Sequence, residues 1–450
     1  MRIKPHWQIL GALALAAILG TLLGGMAYSE GGGSAFADGA LGFLEFLGDL
    51  FISALKMMIV PLVMTSIIAG IAGLGKIEGF GRLGAKTIGY YALSSVVAIV
   101  IGLVFVNVFK PGLVDGQPNE VLQARFAGEE AIAEAGESSK VAAAALRAEG
   151  GLGNLVSVFK SMFPSNLVAA ASTGNLLGLI VFSLLFAAAL VKLPDEYSEP
   201  VTKFVIGFNE TIVMITRWII ALAPIGVLGL VAPVVAEMGS AWDLIQALGK
   251  YFLVVLLALG IHFGVALPII LKLLGGISPR AHYAAMRQAI LTAFSTASSS
   301  ATLPVTIRNL RDNAGTSRRV TSFVLPLGAT VNMDGTALYE CVAVIFVAQV
   351  LGWDMPASQQ FMVVFLALLT SIGVAGIPSA SLVAILIIMN SVGIPNPEAA
   401  MGVLLAVDRV LDMCRTSVNV FSDSCGAAII AASEGEELHV ASGAGEAKAG

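Results

Sequence analysis

Five polar side chains near the end of the chain are spaced so that they form one stripe along a helix. Asp408, Asp412, Arg415, Asn419 and Asp423 follow one another at intervals of four, three, four and four residues. At about 100° per residue they fall within about 80° of arc. Apolar residues flank the segment on both sides, so we expect the stripe to lie at membrane depth. Ionisable groups are costly there and usually mark the path of a substrate or an ion.

Acids and a base on one helix face can bind a substrate that carries charges of both signs. The guanidinium of Arg415 is a planar fork of donors that matches a carboxylate with two hydrogen bonds. Asp412, one turn earlier, can pair with an ammonium group. The combination suits an amino acid with an additional carboxylate, such as aspartate or glutamate. Two alternatives use the same residues: a structural ion-pair network in a helix bundle, and an Arg415 that only neutralises Asp412.

The composition indicates a polytopic membrane protein. Of the 450 residues, 57% are hydrophobic and 12% are charged, and the mean hydropathy is +0.88. So few charges cannot cover the surface of a soluble protein of this size, and several apolar runs exceed about 18 residues. The sequence has no basic tract typical of nucleic-acid binding, no nucleotide-binding loop and no His/Cys cluster spaced for a catalytic metal. It therefore predicts a transporter rather than an enzyme, with no nucleic-acid partner.

The distribution of Lys and Arg predicts how the chain is oriented. Basic residues precede the first apolar segment and follow the second, fourth and sixth, whereas 29–40 and 352–360 contain none. The positive-inside rule then places both termini in the cytoplasm. The N-terminal apolar run, 9–27, is too long for a usual signal peptide, so we interpret it as the first spanning helix. The acid-rich stretch 111–150 falls on the outer side.

Two later apolar segments are interrupted by small and polar residues. One is broken by the Ser-rich run 295–304 and the other by the Gly- and Ser-rich run 371–381. Each half is too short to span, so we expect two re-entrant hairpins whose tips meet near the membrane midplane. Each hairpin is followed by a helix with a polar interruption, at 332–336 and 408–423. Because the two hairpins enter the membrane from opposite sides, the two hairpin–helix units form an inverted repeat. Paired broken segments of this kind indicate the binding site of a transporter.

Together, these residues resemble the dicarboxylate/amino acid:cation symporters, the glutamate transporter family. The resemblance is most specific in 298–304, 332–336, 373–378 and 408–423, and it covers the chain apart from 111–150 and the tail. It implies an all-α polytopic fold of eight transmembrane helices plus two re-entrant helical hairpins in inverted repeats. It also implies a homotrimer and an elevator-type mechanism, in which a transport domain slides against a fixed scaffold.

The resemblance divides the chain into units. The scaffold would contain helices 1–2 at 1–86 and helices 4–5 at 151–240. The transport domain would contain helix 3 at 87–110, and helices 6–8 with both hairpins at 241–432. Residues 111–150 would form an extracellular insertion, and 433–450 a disordered cytoplasmic tail.

The resemblance also implies which residues hold the substrate. The positions that match Asp412 and Arg415 hold the amino group and the side-chain carboxylate, and those that match Asn419 and Ser299 hold the α-carboxylate. Dicarboxylate-specific relatives lack the aspartate and neutral amino acid relatives lack the arginine, so acidic amino acids are favoured here. The complete expected set is Ser298, Ser299, Ser300, Thr336, Gly376, Ile377, Pro378, Asp412, Arg415, Thr416 and Asn419.

Cation sites need hard oxygen ligands from carboxylates, hydroxyls and free carbonyls. The resemblance implies one site at Asp423, a deeper one at Asp334, and a third that the second hairpin closes. The expected ligands are Tyr91, Ser94, Ser95, Gly328, Thr330, Asn332, Met333, Asp334, Ser371, Ile372, Val374, Asn419 and Asp423.

We therefore expect a sodium-coupled symporter for L-aspartate, L-glutamate or both, which binds several Na⁺ ions and works by alternating access in the bacterial inner membrane. A proton-coupled glutamate or C4-dicarboxylate symporter of the same fold is the first alternative, and an anion channel or a substrate-sensing receptor is the second. Many relatives carry an additional arginine where this chain has Ala297 or Met413. The sequence therefore does not decide whether potassium is counter-transported. Arg415 is expected to be the only strong cation on the substrate face.

Overall fold

The computed structural model describes residues 5–28, 34–72, 80–119, 122–123, 126, 160, 162–173, 176–353, 355–373, 380–394 and 396–441. Within these ranges the chain is mostly helical, with one short antiparallel strand pair in which Leu113 lies opposite Pro118. Six helices of the described part are long and apolar enough to cross a membrane. The chain is therefore a multi-pass α-helical membrane protein, as the composition predicts.

The α-helices of the described residues are numbered here in chain order. They are α1 (Pro5–Ala27), α2 (Ala35–Ala72), α3 (Phe80–Phe109), α4 (Leu167–Thr173), α5 (Leu176–Lys192), α6 (Asp195–Ala221), α7 (Ala223–Glu237), α8 (Ala241–Ile261), α9 (Leu267–Gly275), α10 (Pro279–Thr296), α11 (Ser299–Asp312), α12 (Arg318–Val331), α13 (Asp334–Val350), α14 (Ala357–Gly373), α15 (Ala380–Ser391) and α16 (Pro397–Ser433). The strands are β1 (Leu113–Val114) and β2 (Gln117–Pro118), and a π-helical turn, His262–Ala266, joins α8 to α9.

The predicted break in the first hairpin is a tight turn between two packed helices. Ala297 has a left-handed backbone, with φ of 49°, and ends α10. Ser298 then begins α11 as an N-cap, because its side chain accepts a hydrogen bond from the backbone N–H of Ala301. Helices α10 and α11 pack against each other and against α16. The serine-rich run thus reverses the chain beside the polar stripe.

The helices pack in two neighbourhoods. In the first, α1 packs on α7, and α2 packs on α5, α6 and α7. Gly20 and Gly24 let α1 approach α7 closely, because a Cβ at either position would lie 2.5 or 2.6 Å from a backbone oxygen of α7. In the second, α3 packs on α13, and α16 packs on α10, α12 and α13. Helices α7 and α16 touch where the two neighbourhoods meet.

The chain beyond α16 forms a packed segment, residues 434–441, which we call the C-terminal strap. The backbone N–H of Ser278 donates to the carbonyl of Val440 at 2.9 Å, and the side chains of Leu438 and Val440 are buried. The prediction of a disordered tail from 433 is therefore wrong up to residue 441. Burial of these two apolar side chains helps to anchor the segment.

Candidate functional site

Helix α16 buries the whole polar stripe. Arg415, which is 1% exposed, places Nη1 2.9 Å from Oδ1 of Asp408 and donates from Nη2 to Oδ1 of Asp412 at 3.0 Å. Its guanidinium also lies 4.1 Å from the ring centroid of Tyr339 on α13. The stacking and the two acids hold the fork in place. Thr416, which the sequence assigned to the substrate, donates its hydroxyl to the Asp412 carbonyl at 2.7 Å.

A second guanidinium contacts the same acid. Nη1 of Arg409 lies 3.6 Å from Oδ2 of Asp412, and the Arg409 side chain is 5% exposed. The expectation that Arg415 is the only strong cation on this face is therefore wrong. Along α16, Asp408, Arg415, Asp412 and Arg409 form a chain of alternating charges that sums to zero.

The break between α12 and α13 lies against the stripe. Asn419 accepts a hydrogen bond from the Gly335 backbone at 2.8 Å and donates to the Thr336 hydroxyl at 3.1 Å. Asn332, which is not helical, donates to Oδ1 of Asp423 at 2.9 Å. Two of the predicted substrate residues and two of the predicted cation ligands are thus joined by direct hydrogen bonds.

Asp334 is a fully buried carboxylate where α3, α13 and α16 meet. Ser94 and Ser95 of α3 donate to its Oδ1 at 3.2 and 2.9 Å, and Ser422 of α16 donates to its Oδ2 at 2.6 Å. Nε2 of His262, in the π-helical turn, lies 3.1 Å from the same Oδ2. Three separate segments, α3, α16 and the π-helical turn, therefore supply polar atoms to this one carboxylate of α13.

Gly328 of α12 leaves space for the carboxylate of Asp423. A Cβ at this position would lie 2.5 Å from Oδ1 of Asp423 and 2.8 Å from the hydroxyl of Tyr91. The Tyr91 hydroxyl itself donates to the carbonyl of Val324 at 2.6 Å. Tyr91 and Asp423 thus both approach the backbone of α12 at Gly328.

The sodium:dicarboxylate symporter family has a family model that matches residues 6–433 of this chain. The chain belongs to that family. It is 35% identical over 428 residues to the proton/glutamate-aspartate symporter of Escherichia coli (strain K12), across 94% of this chain and 92% of that protein. It is 33% identical to excitatory amino acid transporter 3 of Mus musculus, across 97% and 87%, and 32% identical to neutral amino acid transporter A of Bos taurus, across 86% and 76%. The predicted family and the expectation of a membrane symporter are confirmed.

The structure also describes other predicted site residues of this symporter. Ser299 is buried and Ser300 is partly buried at the start of α11, and Met333 is buried in the break before α13. Thr330 donates its hydroxyl to the Leu327 carbonyl in α12, and Ser371 donates to the Leu368 carbonyl in α14. The backbone of Ile372 belongs to the last turn of α14. Four predicted residues lie outside the described part of the chain: Val374, Gly376, Ile377 and Pro378.

Besides Arg409, sequence reasoning missed two buried ionisable residues near the cluster. His262 contacts Asp334 as described above, and Glu340 of α13 is fully buried, with its Oε2 accepting a hydrogen bond from Thr370 of α14 at 2.8 Å. Both lie in strongly apolar stretches, and an isolated ionisable residue in such a stretch is itself the signal that could have found them.

The arrangement provides two kinds of binding chemistry side by side. Arg415, Asp412 and Asn419 present a donor fork, an acid and an amide, which suit a zwitterion. Asp334 and Asp423 present carboxylate oxygens close to hydroxyls and backbone, which suit a hard cation. Asn332 and Asn419 connect the two groups by hydrogen bonds through the α12–α13 break.

Proposed function

We propose that this symporter carries L-aspartate, L-glutamate or both together with several sodium ions. The observation that supports it best is the buried pair of Arg415 and Asp412 on one face of α16, with Asn419 one turn away. The Arg415 fork receives the substrate's side-chain carboxylate, Asp412 receives its ammonium, and Asn419 with Ser299 receives its α-carboxylate. Similarity to the proton/glutamate-aspartate symporter of Escherichia coli supports this assignment.

Sodium ions occupy the oxygen-rich positions beside the substrate in this proposal. One site uses Asp423 with backbone carbonyls of α12 and α16, and a deeper one uses Asp334 with Ser94 and Ser95. A third uses backbone carbonyls at the tip of the second hairpin. Coupling follows if that hairpin closes only over a fully loaded site, since closure then selects the loaded state. Its expected ligands are the carbonyls of Thr330, Ser371, Ile372 and Val374.

The proposed architecture is eight transmembrane helices with two re-entrant hairpins, assembled as a homotrimer in the bacterial inner membrane with both termini in the cytoplasm. Helices α1, α2, α5, α6 and α7 form the scaffold, and α3 with α8 to α16 form the transport domain. The two packing neighbourhoods support this division. Within the scaffold, α1 packs mainly on α7, and within the transport domain, α3 packs mainly on α13. The α7–α16 contact is then where the sliding occurs.

One observation favours a proton-coupled variant of the same function. Glu340 is fully buried, and its Oε2 accepts a hydrogen bond from a threonine hydroxyl of the helix that leads into the second hairpin. Buried carboxyl groups at membrane depth form proton relays in many transporters. If protons drive uptake, Glu340 is the group on which they travel.

The deciding experiment is an uptake panel in proteoliposomes. Labelled aspartate, glutamate, succinate and serine are offered while a sodium, proton or potassium gradient is imposed separately. We expect accumulation of aspartate or glutamate against its gradient that requires inward sodium. Uptake that follows the pH gradient without sodium, and that Glu340→Gln abolishes, establishes the proton-coupled alternative. Flux that never exceeds equilibrium overturns symport.

A further inference from the structure

Arg409 is a buried cation that the proposed transport cycle does not use. Its side chain is 5% exposed, and Nη1 lies 3.6 Å from Oδ2 of Asp412. Among the described residues, Asp412 is the acid with which it forms an ion pair. A guanidinium in such a place is costly, so its presence at the substrate acid requires an explanation.

The two arginines hold Asp412 differently. Arg415 makes a hydrogen bond of 3.0 Å to Oδ1, whereas the 3.6 Å distance from Arg409 to Oδ2 is too long for a hydrogen bond. Arg409 therefore acts on Asp412 through its charge rather than through a directional contact. An arriving ammonium can reach Oδ2 without breaking a hydrogen bond from Arg409, but it does so close to a second positive charge.

We propose that Arg409 is a specificity-determining residue that weakens the preference of the site for substrates carrying an ammonium, so that amine-free dicarboxylates also bind. This inference rests on the proposed function and adds to it the range of substrates. The two acids and two arginines sum to zero charge, and the site loses one positive charge without Arg409. Aspartate carries a net charge of about −1 and succinate about −2 at neutral pH. Losing Arg409 therefore penalises succinate more, and leaves Asp412 freer to attract an ammonium.

The test compares two substrates in one assay with Arg409→Gln and Arg409→Lys. Inhibition of labelled aspartate uptake by unlabelled aspartate and by succinate is measured at saturating sodium. In the wild type we expect both to compete. In Arg409→Gln the ratio of succinate to aspartate inhibition constants should rise by about tenfold, the size of effect typical of one close buried charge. Arg409→Lys keeps the charge and should keep the ratio.

The control is Arg308→Gln, an exposed arginine on α11 that leaves the site unchanged. If succinate does not inhibit aspartate uptake by the wild type, the inference is wrong. It is also wrong if the inhibition constants of aspartate and succinate change equally in Arg409→Gln, because a purely structural role of Arg409 predicts that result. If Arg409→Gln does not fold, Arg409→Lys still tests the inference. A large change in its ratio of succinate to aspartate inhibition constants would contradict a role of the charge alone. A wild type that accumulates neither aspartate nor glutamate overturns the proposed function instead.

Discussion

Arg415 contacts two acids of its own helix, and in the proposed function a substrate carboxylate competes with them. Nη1 faces Asp408 and Nη2 faces Asp412, while the ring of Tyr339 supports the guanidinium from one side. A carboxylate that takes the fork replaces these contacts with two hydrogen bonds of its own. The proposed function assigns recognition of the substrate's side-chain carboxylate to Arg415, and this role can be tested by replacing the residue.

Arg415→Cys should turn the site from acidic toward small neutral amino acids. Without the fork, a substrate side-chain carboxylate enters a buried pocket unpaired, at a cost of about 2–5 kcal/mol. Serine brings no such charge and keeps its contacts with Asp412 and Asn419. The measurement is competition by serine and by aspartate in sodium-driven uptake, with Met413→Cys as a control for the new thiol. A mutant that still prefers aspartate shows that Arg415 does not read the side chain.

Asp423→Asn should weaken sodium binding while leaving the choice between substrates unchanged. Asp423 accepts a hydrogen bond from Asn332 and lies beside the α12 backbone, two turns beyond the Arg415 fork. Losing its charge should raise the sodium concentration for half-maximal uptake by about tenfold or more, or about 1.4 kcal/mol. Sodium titrations of wild type, Asp423→Asn and the exposed-acid control Asp312→Asn test this. Identical titration curves would remove Asp423 from the cation site.

At the scale of elements, the site depends on two helix interruptions packed against α16. The turn at Ala297 brings the serine run to the stripe, and the break at Asn332 and Met333 brings backbone and carboxylates to it. Both interruptions were predictable, because polar residues in the middle of an apolar segment have no other reason to be there. The stripe was predictable for the same reason, since helical periodicity places its members on one face.

Other contacts of these elements could not be predicted from the sequence. Arg409 lies about 60° from Asp412 around the helix, and periodicity does not show that a long side chain bends back to reach a neighbour. His262 and Asp334 are 72 residues apart, and a lone histidine in an apolar run is as consistent with packing as with a partner. The pairing of α3 with α13 likewise joins distant parts of the chain, and only the family resemblance indicated it.

Gly328→Ala tests whether the surface of α12 is shaped for the cation site. Alanine favours a helix, so α12 itself should not suffer. The new Cβ would nevertheless displace the Asp423 carboxylate and the Tyr91 hydroxyl. We expect sodium affinity to fall by about tenfold with little change in thermal stability. Gly89→Ala on α3, where a Cβ meets nothing within 4 Å, is the control. Equal sodium affinity in both variants would contradict the interpretation.

At the scale of the whole molecule, the C-terminal strap connects elements that are far apart in sequence. Glu434 pairs with Lys86 at 2.6 Å and with Arg82 at 2.8 Å, both at the start of α3. Glu436 accepts a hydrogen bond from the backbone N–H of Ser317 at 2.8 Å, at the start of α12. Together with the bond from Ser278, these contacts tie the starts of α10 and α12 to the start of α3 through the strap. All three helices belong to the proposed transport domain, so the strap is expected to move with that domain.

Glu434→Gln should loosen the strap at neutral pH. Hydrogen bonds from Arg82 and Lys86 lower the pKa of Glu434 from 4.5 to about 2. Because the folded-state pKa is depressed, the stabilisation is complete above about pH 4.5 and is lost as the pH falls toward 2. The measurement is hydrogen exchange of the strap amides, with each rate corrected for the intrinsic pH dependence of exchange. In the wild type the corrected rates should be slow and constant between pH 5 and 8. They should be faster in Glu434→Gln throughout that range.

Glu437→Gln, which changes an exposed acid of the same strap, is the matched control for this measurement. Equal protection in Glu434→Gln and Glu437→Gln would show that the pairing with α3 does not hold the strap.

The strap also has a consequence for how the protein is made. Its backbone joins Ile277 to Ala441 in an isolated bridge, and His439 donates to the carbonyl of Ala314. Residues 434–441 are synthesised after every helix described here, so the starts of α10 and α12 have no contact with the strap while the helices up to α16 are still being synthesised and inserted. Until then Ser278 and Ser317 lack the acceptors that they have in the finished fold. The completion of this face is therefore a late step of biogenesis, and a chain that stops before the strap leaves it open for good.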